Sequence, residues 1–82
     1  MNIKVLGTGC PKCKTLYQRV EQLVAANGFD VTLEKVERIE DIISYGVMMT
    51  PSLVVDGSVK SSGRLPTDAE ILSWVTTALA KG

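Results

Sequence analysis

Histidine is absent from the sequence, cysteine occurs only twice, and the positive and negative charges cancel. Without histidine, the chain can use neither histidine-based acid–base catalysis nor histidine as a metal ligand. Nine Lys and Arg residues balance nine Asp and Glu residues, and no basic run occurs. Binding to the phosphates of nucleic acid requires clustered positive charge, so we do not expect nucleic acid as a partner.

Long apolar runs are also missing from the sequence. No stretch approaches the roughly 20 apolar residues of a membrane-spanning helix. The first residues, 1–4, lack the apolar run of a signal peptide. We therefore expect a cytoplasmic protein that does not associate with a membrane.

The length of 82 residues fits one small domain and is too short for two. A domain of this size buries only roughly 60% of the surface of its unfolded chain. The hydrophobic residues, which make up 45% of the sequence, must therefore be used efficiently. We predict a single domain over residues 1–82.

Hydrophobic periodicity divides the chain into four strands and three helices. Alternating apolar residues predict strands, and apolar residues at helical spacing predict amphipathic helices. The predicted strands cover residues 1–6, 31–36, 52–55 and a short stretch around 59, and the predicted helices cover 11–27, a short segment around 39–43, and 67–79. In the short middle helix, Ile39, Ile42 and Ile43 share one face.

Local signals mark where these elements begin and end. Pro11 suits the first turn of a helix, because its missing N–H is not needed there. Thr67 and Glu70 form a capping box, and Asp56-Gly57 is typical of a tight β-hairpin turn. The order βαβαββα predicts an α/β fold in which the first two strands are parallel and the closing hairpin is antiparallel. The result is a four-stranded mixed sheet flanked by helices on both faces.

Cys10 and Cys13 are the only thiols, and they stand three positions apart. By the chain-entropy estimate, a disulfide that closes so short a loop stabilises a fold by only about 2 kcal/mol. The C-x-x-C spacing therefore favours chemistry over a structural role, with redox exchange as the first interpretation, metal binding as the second and an inert pair as the third. Gly7 and Gly9, just before the pair, are expected to give backbone room beside the thiols.

The predicted positions of the two cysteines indicate different roles. Cys10 immediately precedes a helix, where free backbone N–H groups and the helix dipole stabilise a thiolate. Lys12 and Lys14 add positive charge, so we expect the pKa of Cys10 to lie below the value of about 8.5 for a free cysteine. Cys13 lies on the apolar face of the helix and should be less exposed. We predict that Cys10 attacks a substrate disulfide and that Cys13 resolves the mixed disulfide.

The residues Cys10-Pro11-Lys12-Cys13 after the first strand, with Thr50-Pro51 before the third, resemble the thioredoxin/glutaredoxin superfamily. The likeness is greatest to the small thioredoxin-like redox-active disulfide proteins of archaea and bacteria, and it covers residues 3–79. It implies a thioredoxin-like fold and a protein disulfide oxidoreductase that acts as a thioredoxin-like electron carrier. Its implied partners are disulfide-containing client proteins and a reductant that is either thioredoxin-reductase-like or glutathione-based. No bound cofactor is expected, because the electrons reside on the two sulfurs.

The resemblance also implies a substrate-binding surface. Pro51 is expected to be cis and to pack beside the cysteines, which leaves the backbone of Thr50 free to pair with an extended client segment. Pro11 and Lys12, between the cysteines, complete the predicted substrate-binding residues.

A metal chaperone is the main competing interpretation. The Gly-Thr-Gly-Cys-Pro-Lys-Cys loop also resembles that of the small heavy-metal-associated domains, in which two thiolates hold Cu(I). Those domains run βαββαβ and end in a strand, whereas this chain is predicted to end in a capped helix. The main prediction assigns no metal, and the alternative is that Cys10 and Cys13 bind Cu(I) or another soft metal ion. A third interpretation is a binding module in which the two cysteines are idle.

Overall fold

The computed structural model describes residues 1–81, and Gly82, the last residue of the predicted domain, lies outside the described residues. The elements are β1 (Asn2–Leu6), α1 (Pro11–Asn27), β2 (Thr32–Val36), α2 (Ile39–Ser44), β3 (Ser52–Val55), β4 (Ser58–Ser62) and α3 (Asp68–Lys81). This order confirms the predicted sequence of elements, βαβαββα. Among the helices of residues 1–81, none combines the length and the apolar character needed to cross a membrane.

The four strands form one mixed sheet in the order β2-β1-β3-β4. β1 pairs in parallel with β2 and antiparallel with β3, and β3 pairs antiparallel with β4. Leu6, the last residue of β1, lies opposite Val36 on one side and Ser52 on the other. The ends of β1 and β2 and the start of β3 therefore meet at one end of the sheet. The loop that carries the two cysteines leaves β1 at this end.

The larger core lies between one face of the sheet and the helices α1 and α3. Residues two apart on a strand share a face, and residues three or four apart on a helix share a stripe, so the apolar positions of both kinds of element meet here. The buried members of this core are Ile3, Val5, Leu16, Val20, Leu53, Val55, Ile71 and Val75. Each is at most 3% exposed, and burying a side chain of this size contributes about 1.5–3 kcal/mol.

A smaller core lies on the opposite face, where Ile42 of α2 packs with Leu6 and Val54. The helices thus flank the sheet on both faces, as predicted. Ile39 and Ile43 flank Ile42, but they are 60% and 63% exposed. Because α2 has only six residues, it spans less than two turns and the sheet covers only part of its isoleucine face.

The signals that mark the ends of elements operate as predicted. At the start of α3, the Glu70 N–H donates to Thr67 Oγ1 at 3.2 Å, and the Glu70 carboxylate accepts the Thr67 N–H at 3.0 Å. Arg64 donates two further hydrogen bonds to the same carboxylate, at 2.9 and 2.8 Å. In the hairpin, Asp56 and Gly57 have φ values of 51° and 86°, as a type I′ turn requires.

Candidate active site

Cys10 caps the N-terminus of α1. Its backbone is extended, with φ −66° and ψ 161°, and its Sγ accepts a hydrogen bond from the Cys13 N–H at 3.2 Å. Its carbonyl accepts the Lys14 N–H at 3.0 Å, which is the first hydrogen bond of the helix. Pro11 follows at the first helical position, where proline is favoured. The Cys10 sulfur therefore lies at the N-terminus of α1, next to backbone N–H groups that have no acceptor within the helix and to the positive end of the helix dipole.

Cys10 and Cys13 are joined by a disulfide, with their Cα atoms 5.0 Å apart. The helical turn from the N-cap to the third helical residue brings the two side chains together. Cys13 is 5% exposed, whereas Cys10 is half-buried. Cys10 is thus more accessible to a reagent or a client than Cys13. This asymmetry agrees with the order of attack predicted from the sequence, although the roles themselves stay predictions.

Gly7 lies directly behind Cys13. A Cβ atom on Gly7 would overlap with Cys13 Sγ, would lie 3.0 Å from Cys13 Cβ, and would lie 3.9 Å from the Cβ atom of Thr50. The absence of a side chain at Gly7 therefore makes the room that the disulfide occupies, as expected. The short distance to Thr50 shows that the loop before β3 also lies next to the cysteines.

The Thr50–Pro51 peptide bond is cis, as the resemblance implies. Pro51 is buried, and its carbonyl accepts the Gly63 N–H at 2.9 Å. Thr50 is exposed, and within residues 1–81 no protein group is hydrogen-bonded to its backbone. These backbone groups are open to an extended segment of another molecule.

The lysines of the motif are at the surface. Pro11, Lys12 and Lys14 are all exposed on the first turn of α1, beside Cys10. That turn, which the structure describes in full, contains no acidic side chain. Lys12 and Lys14 therefore add positive charge to the helical turn that follows Cys10. Contact of Pro11 and Lys12 with a substrate stays a prediction.

A small cavity of about 50 Å³ adjoins Cys13 on the side of β2. Its lining includes Gly7, Cys13, Lys14, Lys35 and Glu37. The Glu37 carboxylate also lies 3.7 Å from where a Cβ of the neighbouring Gly9 would be. No motif or spacing in the sequence points to Glu37. The signal that could have found it is topological, because the carboxyl ends of the parallel strands β1 and β2 open at the same end of the sheet.

An apolar surface adjoins the site on the side of α2. Three of its side chains are largely exposed, with Ile39 at 60%, Ile43 at 63% and Met48 at 97%. Together with Thr8 and Thr50 they line an open groove of about 460 Å³. Apolar surface that stays in contact with water beside a reactive site is typical of a protein-binding surface.

The sequence matches the family model of the thioredoxin domain over residues 1–76. It is 35% identical over 71 residues to a thioredoxin of Methanothermobacter thermautotrophicus, a match that covers 87% of this chain and 92% of the relative. It is also 35% identical over 69 residues to a thioredoxin of Methanocaldococcus jannaschii, covering 84% of this chain and 79% of that relative.

Among solved structures, the fold is similar to that of a malarial protein. The TM-score is 0.66, and the match covers 95% of this chain and 96% of the other. The sequence identity is 14%, so this likeness supports the predicted fold alone.

Proposed function

The chain belongs to the thioredoxin domain family, and from this membership we propose that Cys10 and Cys13 exchange electrons with the disulfides of client proteins. The family identifies the chain as a thioredoxin-like disulfide oxidoreductase and electron carrier. The observation that carries the residue assignment is the disulfide at the N-terminus of α1, which joins a half-buried Cys10 to a buried Cys13. Its position beside Thr50 and the cis Pro51 supports the same assignment.

The exchange takes two steps. The Cys10 thiolate attacks one sulfur of a client disulfide, which forms a Cys10–client disulfide and releases the other client sulfur as a thiolate. The Cys13 sulfur, having lost its proton, then attacks Cys10 Sγ. The Cys10–client bond breaks, the second client sulfur leaves with the electron pair, and the Cys10–Cys13 ring closes. The client gains two electrons and, after protonation of its thiolates, two protons.

The environment of Cys10 suits it for the first attack. Its Sγ accepts the Cys13 N–H, and a hydrogen bond from a backbone N–H at a helix N-terminus is stronger when the sulfur is charged. Lys12 and Lys14 add positive charge. Both effects favour the thiolate, which is the nucleophilic form of cysteine.

The surroundings of the site support proteins as clients. An extended client segment can form backbone hydrogen bonds with Thr50, whose N–H and C=O groups have no partner within residues 1–81. The exposed side chains of Ile39, Ile43 and Met48 line the adjoining groove, where they can bury apolar side chains next to a client cysteine.

We propose that the pair works without a bound cofactor, because the two sulfurs store both electrons. The oxidised protein then needs a second protein or a thiol to reduce it. A thioredoxin-reductase-like enzyme and a glutathione-based system both have the required chemistry, and assays with each in turn identify the reductant.

The function is tested by insulin reduction with dithiothreitol as the electron source. We expect the wild-type protein to accelerate the reduction and Cys10→Ser to be inactive. Replacing Ile39 and Ile43 together by serine should raise the KM for insulin several-fold. The control is Val59→Ser, which changes a 39% exposed side chain near the hairpin end of β4, away from the cysteines, and should leave the KM unchanged. Absence of acceleration by the wild-type protein would overturn the proposal.

The metal alternative requires its own measurement. A helix, α2, follows β2 in this structure, whereas a strand follows there in the βαββαβ order of the heavy-metal-associated domains, so the two folds differ. The two thiols themselves have the chemistry to bind a soft metal ion. Titration of the reduced protein with Cu(I), next to the insulin assay, separates a metal carrier from an oxidoreductase.

A further inference from the structure

The loop before β3 carries two features on which the proposed binding of clients depends. In this loop, residues 47–50, Met48 is 97% exposed and lines the apolar groove, and the backbone of Thr50 is open to a client segment. The loop belongs to no helix or strand. Within residues 1–81, no hydrogen bond between backbone groups involves residues 47–50. The conformation in which the loop meets a client must therefore be held by other contacts.

Two serine hydroxyls hold the middle of this loop. Ser52 Oγ donates to the Met49 carbonyl at 2.7 Å, and Ser62 Oγ donates to the same carbonyl at 3.1 Å. A carbonyl oxygen has two lone pairs and can accept both bonds. Ser52 is fully buried, so its hydroxyl needs a partner within the protein. Because Ser52 and Ser62 face each other on β3 and β4, their hydroxyls connect the loop to the sheet.

The side chain of Met49 lies at the same end of β4. A Cβ atom on Gly63 would lie 3.0 Å from Met49 Cβ and 3.1 Å from Met49 Sδ, so the methionine side chain packs directly on the Gly63 backbone. The Gly63 N–H donates to the carbonyl of Pro51, just after the loop, at 2.9 Å. Met49 thus anchors the loop to the end of β4, whereas its neighbours Met48 and Thr50 are exposed to solvent.

We propose, on the basis of the function above, that Ser52 and Ser62 are positioning residues for client binding. By holding the Met49 carbonyl, they keep Met48 and Thr50 in the conformation that a client segment meets. Without these hydrogen bonds the loop samples further conformations, and binding must then include the entropic cost of ordering it. The apparent affinity for a client falls by the fraction of molecules in which the loop is in the binding conformation.

The test compares binding of a protein client with the reactivity of Cys10. Ser62→Ala is the first variant, because Ser62 is exposed and the substitution should leave the fold intact. In insulin reduction we expect its KM to rise about three- to tenfold, the effect of losing one hydrogen bond, at nearly unchanged kcat. The rate at which iodoacetamide alkylates reduced Cys10 should not change, since this small reagent does not use the loop. Ser62→Thr retains the hydroxyl and should restore the KM. Ser58→Ala, the same change at the exposed start of β4, is the matched control.

A purely structural role of the hydroxyls predicts a different result. Ser62→Ala would then lower the denaturant concentration at the unfolding midpoint and leave the KM unchanged under conditions in which the protein is folded. An unchanged KM in Ser62→Ala, or an equal rise in Ser58→Ala, would overturn the proposal. So would a rise in KM that Ser62→Thr does not reverse. Failure of the underlying function is distinguishable, because the wild-type protein would then not accelerate insulin reduction at all.

Discussion

Gly7 and Cys13 are packed so closely that a single methyl group on Gly7 would overlap with the Cys13 sulfur. The backbone of Gly7 does not have the positive φ that calls for glycine, unlike that of Gly9 at 90°. Glycine is therefore required at position 7 by the neighbouring side chain and not by the backbone. A larger residue at position 7 would therefore require the disulfide or the backbone to move.

Gly7→Ala should accordingly destabilise the oxidised protein by about 1–3 kcal/mol, the usual cost of overpacking a buried site. Denaturant unfolding of the oxidised form measures the loss. The control is the same substitution in a Cys13→Ala background, where the overlapping sulfur is gone and only the 3.0 Å contact with the Cβ atom of residue 13 remains, so the loss should be smaller. An equal loss in both backgrounds would mean that Gly7 is required for another reason.

The two cysteines should differ as traps for clients. Cys13→Ser lacks the thiol that resolves the mixed disulfide, so it should accumulate long-lived Cys10–client species. Cys10→Ser lacks the accessible nucleophile and should trap none. Non-reducing gel electrophoresis followed by mass spectrometry of the trapped bands compares the two variants. Equal trapping by both variants would contradict the assignment of roles.

The charge around Cys10 should be visible in its alkylation by iodoacetamide. We expect the alkylation rate of the reduced protein to rise with a midpoint clearly below about 8. Replacing Lys12 and Lys14 by glutamine should raise this midpoint only slightly, because both lysines are exposed and screened by solvent. Lys60→Gln, on β4, serves as the control. A wild-type midpoint at the value of free cysteine would remove the electrostatic argument.

The ion pair between Arg64 and Glu70 should make stability depend on pH in the acid range. The Arg64 guanidinium, and then the Thr67 N–H, lower the pKa of Glu70 from 4.5 to about 2. Because the folded state has the lower pKa, the stabilisation is present above about pH 4.5 and is lost as the pH falls toward 2.

Glu70→Gln should therefore unfold at lower denaturant concentration than the wild type at pH 7, and the difference should shrink between about pH 4.5 and 2. Unfolding midpoints measured across this range, with the exposed Glu21→Gln as control, check the prediction. A difference that stayed constant down to pH 2 would rule out titration of Glu70 as its source.

Much of the fold could be predicted because local patterns and the tertiary structure agree. Pro11 opens α1, and Asp56-Gly57 turns the hairpin between β3 and β4. The apolar stripe of α1 includes Cys13, so its burial followed from the helical spacing. For the site, Cys10 as the N-cap of α1 follows directly from its place before Pro11.

Other features depend on how distant segments meet, which local patterns do not contain. Glu37 approaches Cys13 only because β2 pairs in parallel with β1. The exposure of Ile39 and Ile43 depends on how much of α2 the sheet covers. The overlap at Gly7 can be recognised only when the side-chain positions are known, although the need for backbone room beside the thiols was predicted.

The most direct test of the reversible Cys10–Cys13 disulfide is a redox titration read by mass. The protein is equilibrated in glutathione buffers of stepped ratio, its thiols are blocked with N-ethylmaleimide, and the intact mass is recorded. We predict two principal species, with no label and with two labels, which interconvert in one two-electron transition. Two labels in every buffer, or a predominant species with one label, would contradict a ring that opens and closes between Cys10 and Cys13.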